Sequence, residues 1–326
     1  METALISRSQ VAEILTHDAC IDAVEKAFRL LGEGKLARPE ILGVHVEGGG
    51  FHVKAGAAAL DGEWFAAKIN ANFPANPQRF GLPTIQGLVA LFDAGSGRPL
   101  ALLDSSELTA LRTAAATAVA ARYLARPDST TATIVGCGRQ ADAQLQALGR
   151  VLPLERAFAL DADRPRAEAY AREMTSKLAL EVTPVDDLAS ALSKTDVLVT
   201  CTSSRTPFVR RMDVRPGTFI AAVGADSEDK QEVEETLMAA SAVVVDLLSQ
   251  AALIGDLHHA IARGLMRAED VRAELGAVVA GRAAGRESPE EITIFDSTGI
   301  ALQDLAAAVA VYERARGRGA SFDFSG

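Results

Sequence analysis

Residues 131–148, TATIVGCGRQADAQLQAL, limit this chain to few folds. Thr131–Val135 is a short run of mostly β-forming residues, which predicts a buried strand. Gly136, Gly138 and Ala141 follow in the spacing G-x-G-x-x-A, with Arg139 and Gln140 completing the loop. Ala141, Ala143, Leu145, Ala147 and Leu148 then set up a helix. Strand, glycine turn and helix are the context a dinucleotide fingerprint requires. Gly136 permits the tight turn, Gly138 lets backbone approach a pyrophosphate, and Ala141 lets helix and strand pack closely. The phosphates would sit on N–H groups of the helix N-terminus. Taken alone, the spacing also fits a glycine turn in another α/β sheet or a methyltransferase loop. A second predicted strand, RAFALD, ends at Asp161, 23 residues after Gly138. A carboxylate there accepts hydrogen bonds from both ribose hydroxyls and repels a 2′-phosphate, which favours NAD over NADP. Asp163 adds negative charge; Arg164 is the residue through which NADP stays possible.

A chain of 326 residues is long enough for two domains or one large one. A net charge of −10 argues against nucleic acid or an anionic membrane as partner, so an anionic cofactor must be held by local donors. Cys20, Cys137 and Cys201 are widely spaced and odd in number, and they lack metal-ligand spacing. They point to a reducing compartment and not to a disulfide framework. METALISRSQ does not read as a signal peptide, and no apolar run reaches membrane length, so a cytoplasmic protein is expected.

Along the chain, Ile21, Val24, Phe28 and Leu31 stand at helical spacing, with Gly32 and Gly34 as the stop. The β-rich segments ILGVHVE, FHVKAGAAA, WFAAKINAN and TIQGLVALFDAGSGRPLALLD follow. The last predicts a hairpin turning at Ala94–Gly97. The first hundred or so residues thus predict a mostly antiparallel sheet with one or two helices. A helix opening near Ser105 or Ser106 runs through ELTALRTAAATAVAARYLA and bridges into the nucleotide domain. From residue 131 strands and helices alternate: RAFALD, DVLVTCTSS, GTFIAAVGAD, AVVVDLL and ITIFDSTG as strands, RAEAYAREMTSKLA and DDLASALSKT as helices. That alternation predicts an α/β fold with a doubly wound parallel sheet over residues 114–299. ALQDLAAAVAVYERARG is long enough to return to the first domain, so an α+β domain of residues 1–113 would be completed by 300–326. The tail GRGASFDFSG is expected to be loosely ordered.

Three side chains stand out chemically. Lys68 lies in the apolar strand WFAAKIN, and lysine is rarely buried without a partner; an edge-strand lysine with its head in water is the bland alternative. Arg112 is the only charge in the small, apolar run LTALRTAAA, where its planar fork suits a carboxylate, either a ligand's or a structural Asp or Glu. Asp226 ends the strand AAVGADS, at the sheet edge where ligands bind, and could equally cap the next helix.

Lys68 in KIN, GLPTIQG, the hairpin, SSELTALRTAAATAVAARYLA, IVGCGRQA with its first glycine 24 residues after Arg112, VGADS and IFDSTG together resemble the ornithine cyclodeaminase/mu-crystallin family. The resemblance runs from about Arg38 to about Leu305. It implies a Rossmann domain binding NAD(P) and a homodimer formed by the N-terminal sheet domain, which also takes substrate. It further implies hydride transfer between nicotinamide and the α-carbon of an α-amino or α-imino acid. By the same resemblance Arg38 and Arg112 hold the substrate carboxylate, Lys68 is the active-site lysine and Asp226 the catalytic aspartate. Many members carry Met-Pro where this chain has FHVKAG, which brings His52 and Lys54 to the substrate pocket. His52 is either a proton relay or a satisfied strand histidine. The cofactor would also meet Thr113, Thr200, Thr202, Ser203, Val223, Ser297, Thr298 and Gly299. FHVKAG with KINANFPANP and GLPTIQG is more similar to the Δ1-pyrroline-2-carboxylate reductases than to the alanine dehydrogenases. The expected activity is therefore reduction of a cyclic imino acid, with ornithine cyclodeaminase, alanine or other amino-acid dehydrogenase, and a vestigial binding protein as alternatives. The apolar hairpin at 84–104, taken as a sheet edge, is the expected dimer contact.

Overall fold

Side chains alternate across a strand, and WFAAKIN uses that period: Trp64, Ala66 and Lys68 are buried while Phe65 and Ala67 are only half-buried. This strand belongs to the first of two units in the computed structural model, which describes residues 2–36, 39–316 and 319–324. The units are Met1–Arg112 with Ile300–Gly326, and Thr113–Gly299.

The first unit opens with β1 (Glu2–Ile6), α1 (Arg8–Ile14) and α2 (His17–Gly32). Ser7 and Gln10 form a capping box on α1, and Thr16 Oγ1 accepts the Ala19 N–H at the start of α2. Next come β2 (Glu40–Val46), β3 (Gly49–Ala59), β4 (Glu63–Asn72), α3 (Asn76–Phe80), β5 (Ile85–Asp93), β6 (Pro99–Asp104) and α4 (Ser105–Leu124). α4 runs on into the second unit.

The second unit continues with β7 (Thr131–Val135), α5 (Arg139–Leu148), β8 (Arg156–Leu160), α6 (Arg164–Leu178), β9 (Glu181–Pro184), α7 (Leu188–Leu192), β10 (Val197–Thr200) and β11 (Phe219–Ala222). α8 (Glu235–Ala239), β12 (Ala242–Val245), α9 (Leu248–Ile254), α10 (Asp256–Ala262), β13 (Ala273–Glu274), α11 (Leu275–Val279) and β14 (Thr293–Asp296) complete it. Its strands pair in parallel in the order β13-β12-β14-β11-β10-β7-β8-β9. β7, β10, β11, β12 and β14 are buried throughout, as a sheet covered on both faces demands. The strand order reverses between β7 and β10, which opens a crevice at their C-terminal ends.

α12 (Ala301–Ala315) and β15 (Ala320–Asp323) return to the first unit. α12 packs on α2 and on β3, β4 and β5. The sheet order is β15-β1-β6-β5-β4-β3-β2, antiparallel except for β1 beside β6. Two expectations are corrected here. Within the tail, Ala320–Asp323 is not loose: as β15 it pairs with β1, Glu2 opposite Asp323, because β1 would otherwise leave its backbone edge unpaired. The β5–β6 hairpin is interior, so it is no edge; the edges are β2 and β15. Apolar exposure lies instead on the outward face, where Leu42, Val53, Ile69 and Leu88 stand in register across four strands. Leu42, Ile69 and Leu88 there are exposed, and Val44 and Phe51 extend the patch. No helix is long and apolar enough to cross a membrane among the described residues.

Candidate active site

In the second unit the glycine loop follows β7. Gly136 has φ +93°, which a side chain would strain, and an added Cβ would stand 2.9 Å from Cys201 O and Thr202 Cγ2. Gly138 is the N-cap residue of α5; no side chain caps that helix, and the space beside Gly138 Cα is open. Arg139 and Gln140 form the first turn, and Ala141 is buried with its carbonyl accepting the Tyr170 hydroxyl at 3.0 Å. Asp161 follows β8. Its Oδ2 accepts the Cys137 N–H at 2.8 Å and its Oδ1 the Asp163 N–H at 2.9 Å. A left-handed glycine, an open glycine, a helix start without a side-chain cap and this carboxylate fit a dinucleotide pyrophosphate and ribose. Arg164 is turned to Glu168 and Asp186, and Arg166 is the arginine near the acids, 3.8 Å from Asp161.

The neighbouring strand ends are tied by a residue the sequence reading missed. Glu232 is buried, and its Oε2 accepts Thr200 Oγ1 at 2.7 Å and the Gly224 N–H at 2.8 Å. Its Oε1 accepts the N–H and hydroxyl of Thr202, each at 2.7 Å. Burial raises its pKa, against the lowering effect of these donors. Ser203 is exposed, and the Val223 N–H bonds Thr200 O. Behind Glu232, Asp256 Oδ1 accepts the N–H groups of Glu232 and Val233, and Asp296 accepts those of Asp256 and Leu257. Burial pushes Asp296 up to about 7, with Asp246 and Glu232 repelling it further and the Leu257 N–H opposing. Burial, then Asp296 and Glu232, pushes Asp256 well up. Asp246 takes the Thr298 hydroxyl at 2.8 Å and the Gly299 N–H at 2.6 Å, fixing the turn after β14, where Gly299 has φ +74°. The Ser297 hydroxyl in that turn is buried without a partner among the described residues. No group of three or more His, Cys, Asp and Glu among the described residues is placed to hold a metal ion. Thr113 is buried on α4.

Asp226 does not end a strand. β11 stops at Ala222 because the Gly224 N–H leaves the ladder for Glu232. Asp226 lies in the loop beyond, its side chain 54% exposed, and accepts Lys230 Nζ at 2.6 Å. It caps no helix, since the next begins at Glu235.

In the first unit two of the candidate residues meet. Lys68 sits on the interior strand β4, 3% exposed, and Arg112 on α4, 4% exposed. Lys68 Nζ and Arg112 Nε both donate to Asp304 Oδ1 at 2.8 Å. Arg112 Nη1 donates to Gln303 Oε1 at 2.7 Å, and Thr109 Oγ1 lies 3.5 Å from Lys68 Nζ. Lys54, 8% exposed, stands directly opposite Lys68 in the β3–β4 register, and half-buried His52 opposite Asn70. Burial, then Arg112, lowers Lys68 to about 7; Lys54 adds to this and Asp304 opposes it. Burial would raise Asp304, but Arg112 and Lys68 outweigh it and hold the carboxyl below its ordinary value. Arg38 lies outside the described residues. Asp304 was findable by the signal that marks Arg112, a lone charge in an apolar helix.

Known proteins share this architecture. The chain is 40% identical over 316 residues to the alanine dehydrogenase of Archaeoglobus fulgidus, covering 97% of this chain and 96% of that one. The solved structure of an archaeal alanine dehydrogenase dimer with bound NAD matches with a TM-score of 0.94 and 38% identity, over 99% of this chain and 100% of that one. Thermococcus litoralis Δ1-pyrroline-2-carboxylate reductase, solved with NADH and L-proline, matches with a TM-score of 0.93 and 34% identity, over 98% and 100%. The sequence profile of the ornithine cyclodeaminase/mu-crystallin family matches residues 1–319, and the chain belongs to that family.

Proposed function

We propose that this protein is an NAD(H)-dependent oxidoreductase acting on the C–N or C=N bond of an amino or imino acid, and that its substrate is Δ1-pyrroline-2-carboxylate, reduced to proline. The buried Lys68–Asp304–Arg112 centre carries this reading: a guanidinium and an ammonium fixed together out of water suit a small carboxylate. The relative that binds NADH and L-proline supports the choice of substrate. The second unit holds the cofactor through Gly136, Gly138, Arg139, Gln140, Ala141 and Asp161. Thr113, Thr200, Thr202, Ser203, Val223, Ser297 and Gly299 are its further neighbours. When bound, NADH supplies the hydride. The first unit binds substrate. Arg112 and Arg38 orient its carboxylate, with Lys54 and His52 shaping the pocket. Lys68, poised near neutrality, can hold or release a proton, and Asp226 holds the iminium charge or passes on the proton that the ring nitrogen gains.

Asp161 favours NAD over NADP, and Arg166 is better placed than Arg164 to soften that preference. The outward apolar face of β2–β5 covers itself by forming a homodimer, and the similar archaeal alanine dehydrogenase is a dimer; light scattering showing a monomer at micromolar concentration would sink this. Three free thiols fit the cytoplasm.

A panel of cyclic imino acids, and of pyruvate with ammonia, tests the function with each reduced cofactor. NADH consumption fastest with the five-membered imine supports it. Ammonia release from ornithine without net NADH change marks a cyclodeaminase, and fastest turnover with pyruvate and ammonia marks an alanine dehydrogenase; either overturns the substrate.

A further inference from the structure

Among the described residues of the first unit, the buried cations are Lys54, Lys68 and Arg112, and the buried carboxylate is Asp304. Opposed lysines on adjacent strands repel, and burial worsens this. Asp304 meets the problem with one atom: Oδ1 takes Lys68 Nζ and Arg112 Nε, each at 2.8 Å. That shared acceptor fixes the two cations relative to each other. Oδ2 is buried and has no hydrogen-bond partner among the described residues, a state the surrounding positive charge makes tolerable. Gln303, one residue earlier on α12, steadies the guanidinium from its other side.

We propose that Asp304 is a positioning residue that holds Lys68 and Arg112 on one oxygen and sets the pH at which Lys68 gives up its proton. This rests on the reading of Lys68 and Arg112 as substrate-facing groups. The groups facing Lys68 from the elements packed around it are Lys54 on β3, Arg112 and Thr109 on α4 and Asp304 on α12; β5 presents Val89. Burial keeps Cys20 on α2 a neutral thiol, raised to about 12, so it adds no charge. Asp304 is thus the negative group of the set. Without it, Lys68 would lose its proton at lower pH, and the two cations would lose their common anchor.

The test is a pH titration of the full-length protein carrying 13C-labelled lysine, read by NMR, with the Lys68 signal assigned through Lys68→Met. The wild-type midpoint is expected near 7. Asp304→Asn should move it about one to three pH units lower, and Asp304→Glu should bring it back toward wild type. A purely structural Asp304 would change the melting temperature and leave the midpoint in place, which overturns the proposal. If Asp304→Asn does not fold, the wild-type Asp304 carboxyl carbon is followed instead. It should respond at the Lys68 midpoint, and a flat response overturns the proposal. Neither measurement needs cofactor or turnover. A wild-type protein inert toward every imino acid, with the Lys68 midpoint still displaced by Asp304→Asn, defeats the proposed function alone.

Discussion

The two units bury charge in opposite ways. In the first, cations crowd around one carboxylate, and Asp304 stays ionised because Lys68 and Arg112 touch it. In the second, Glu232, Asp246, Asp256 and Asp296 are all buried, and backbone N–H groups and hydroxyls donate to them. Asp196, also buried there, sits instead against arginines, Arg126 and Arg215. Charge against charge leaves a centre that still attracts an anion. Charge against dipoles uses up the carboxylate's acceptors and braces the loops at the strand ends. The first kind should therefore be visible in kinetics and the second in stability.

The largest effect should come from the acid outside both clusters. Asp226→Asn keeps the shape but can neither pass on a proton nor offset an iminium charge, so kcat should fall by about 10²–10⁴-fold with an unchanged melting curve. A near-wild-type kcat would hand the proton to Lys68, His52 or water. Arg112→Lys comes next. It keeps the charge yet loses the fork that meets Asp304 and Gln303, so KM for the imino acid should rise by about 10–100-fold, the worth of a charged hydrogen bond. NADH affinity, followed by fluorescence, should not move. An equal loss of NADH affinity would blur the contrast between the units.

Glu232→Gln sharpens the contrast from the other side. An amide replaces one acceptor by a donor, facing either the Thr202 N–H or the Gly224 N–H, at a cost of about 1–3 kcal/mol for each buried donor left unmatched. Thermal denaturation should show the loss, and NADH should bind several-fold more weakly, while KM for substrate stays within a factor of about two. The smallest effect is one of pH. Asp296 titrates near 7 when folded and near 3.9 when unfolded, so the folded state binds the extra proton between those values. Its stability contribution is full below the unfolded pKa and is lost as pH rises through 7. The melting temperature should accordingly be higher at pH 5.5 than at pH 8, and Asp296→Asn should flatten that slope. A rising curve over the same window would place the governing titration elsewhere.

The glycine loop, Lys68 and Arg112 were legible because each breaks a local pattern: glycines between strand and helix, a lone charge in an apolar run. Asp304 carries the same mark in ALQDLAAAV, yet its meaning appears only when α12 lies across β4. Glu232 sits in KQEVEE, where a carboxylate is unremarkable in sequence. Folding alone brings it to Thr200, Thr202 and Gly224. The end of β11 was misplaced for the same reason, since a tertiary acceptor diverts Gly224 from the ladder. The tail strand escaped notice because its pairing partner lies more than three hundred residues away.

That last pairing, with α12 before it, orders events on the ribosome. Residues 113–299 form a continuous stretch that can close its sheet while synthesis goes on. The first unit cannot. Lys54, Lys68 and Arg112 emerge early, and the carboxylate that joins two of them arrives only with α12. Until then the like charges on β3 and β4 resist the burial that the finished sheet gives them. The charge centre is thus completed only after residues 113–299 have been synthesised.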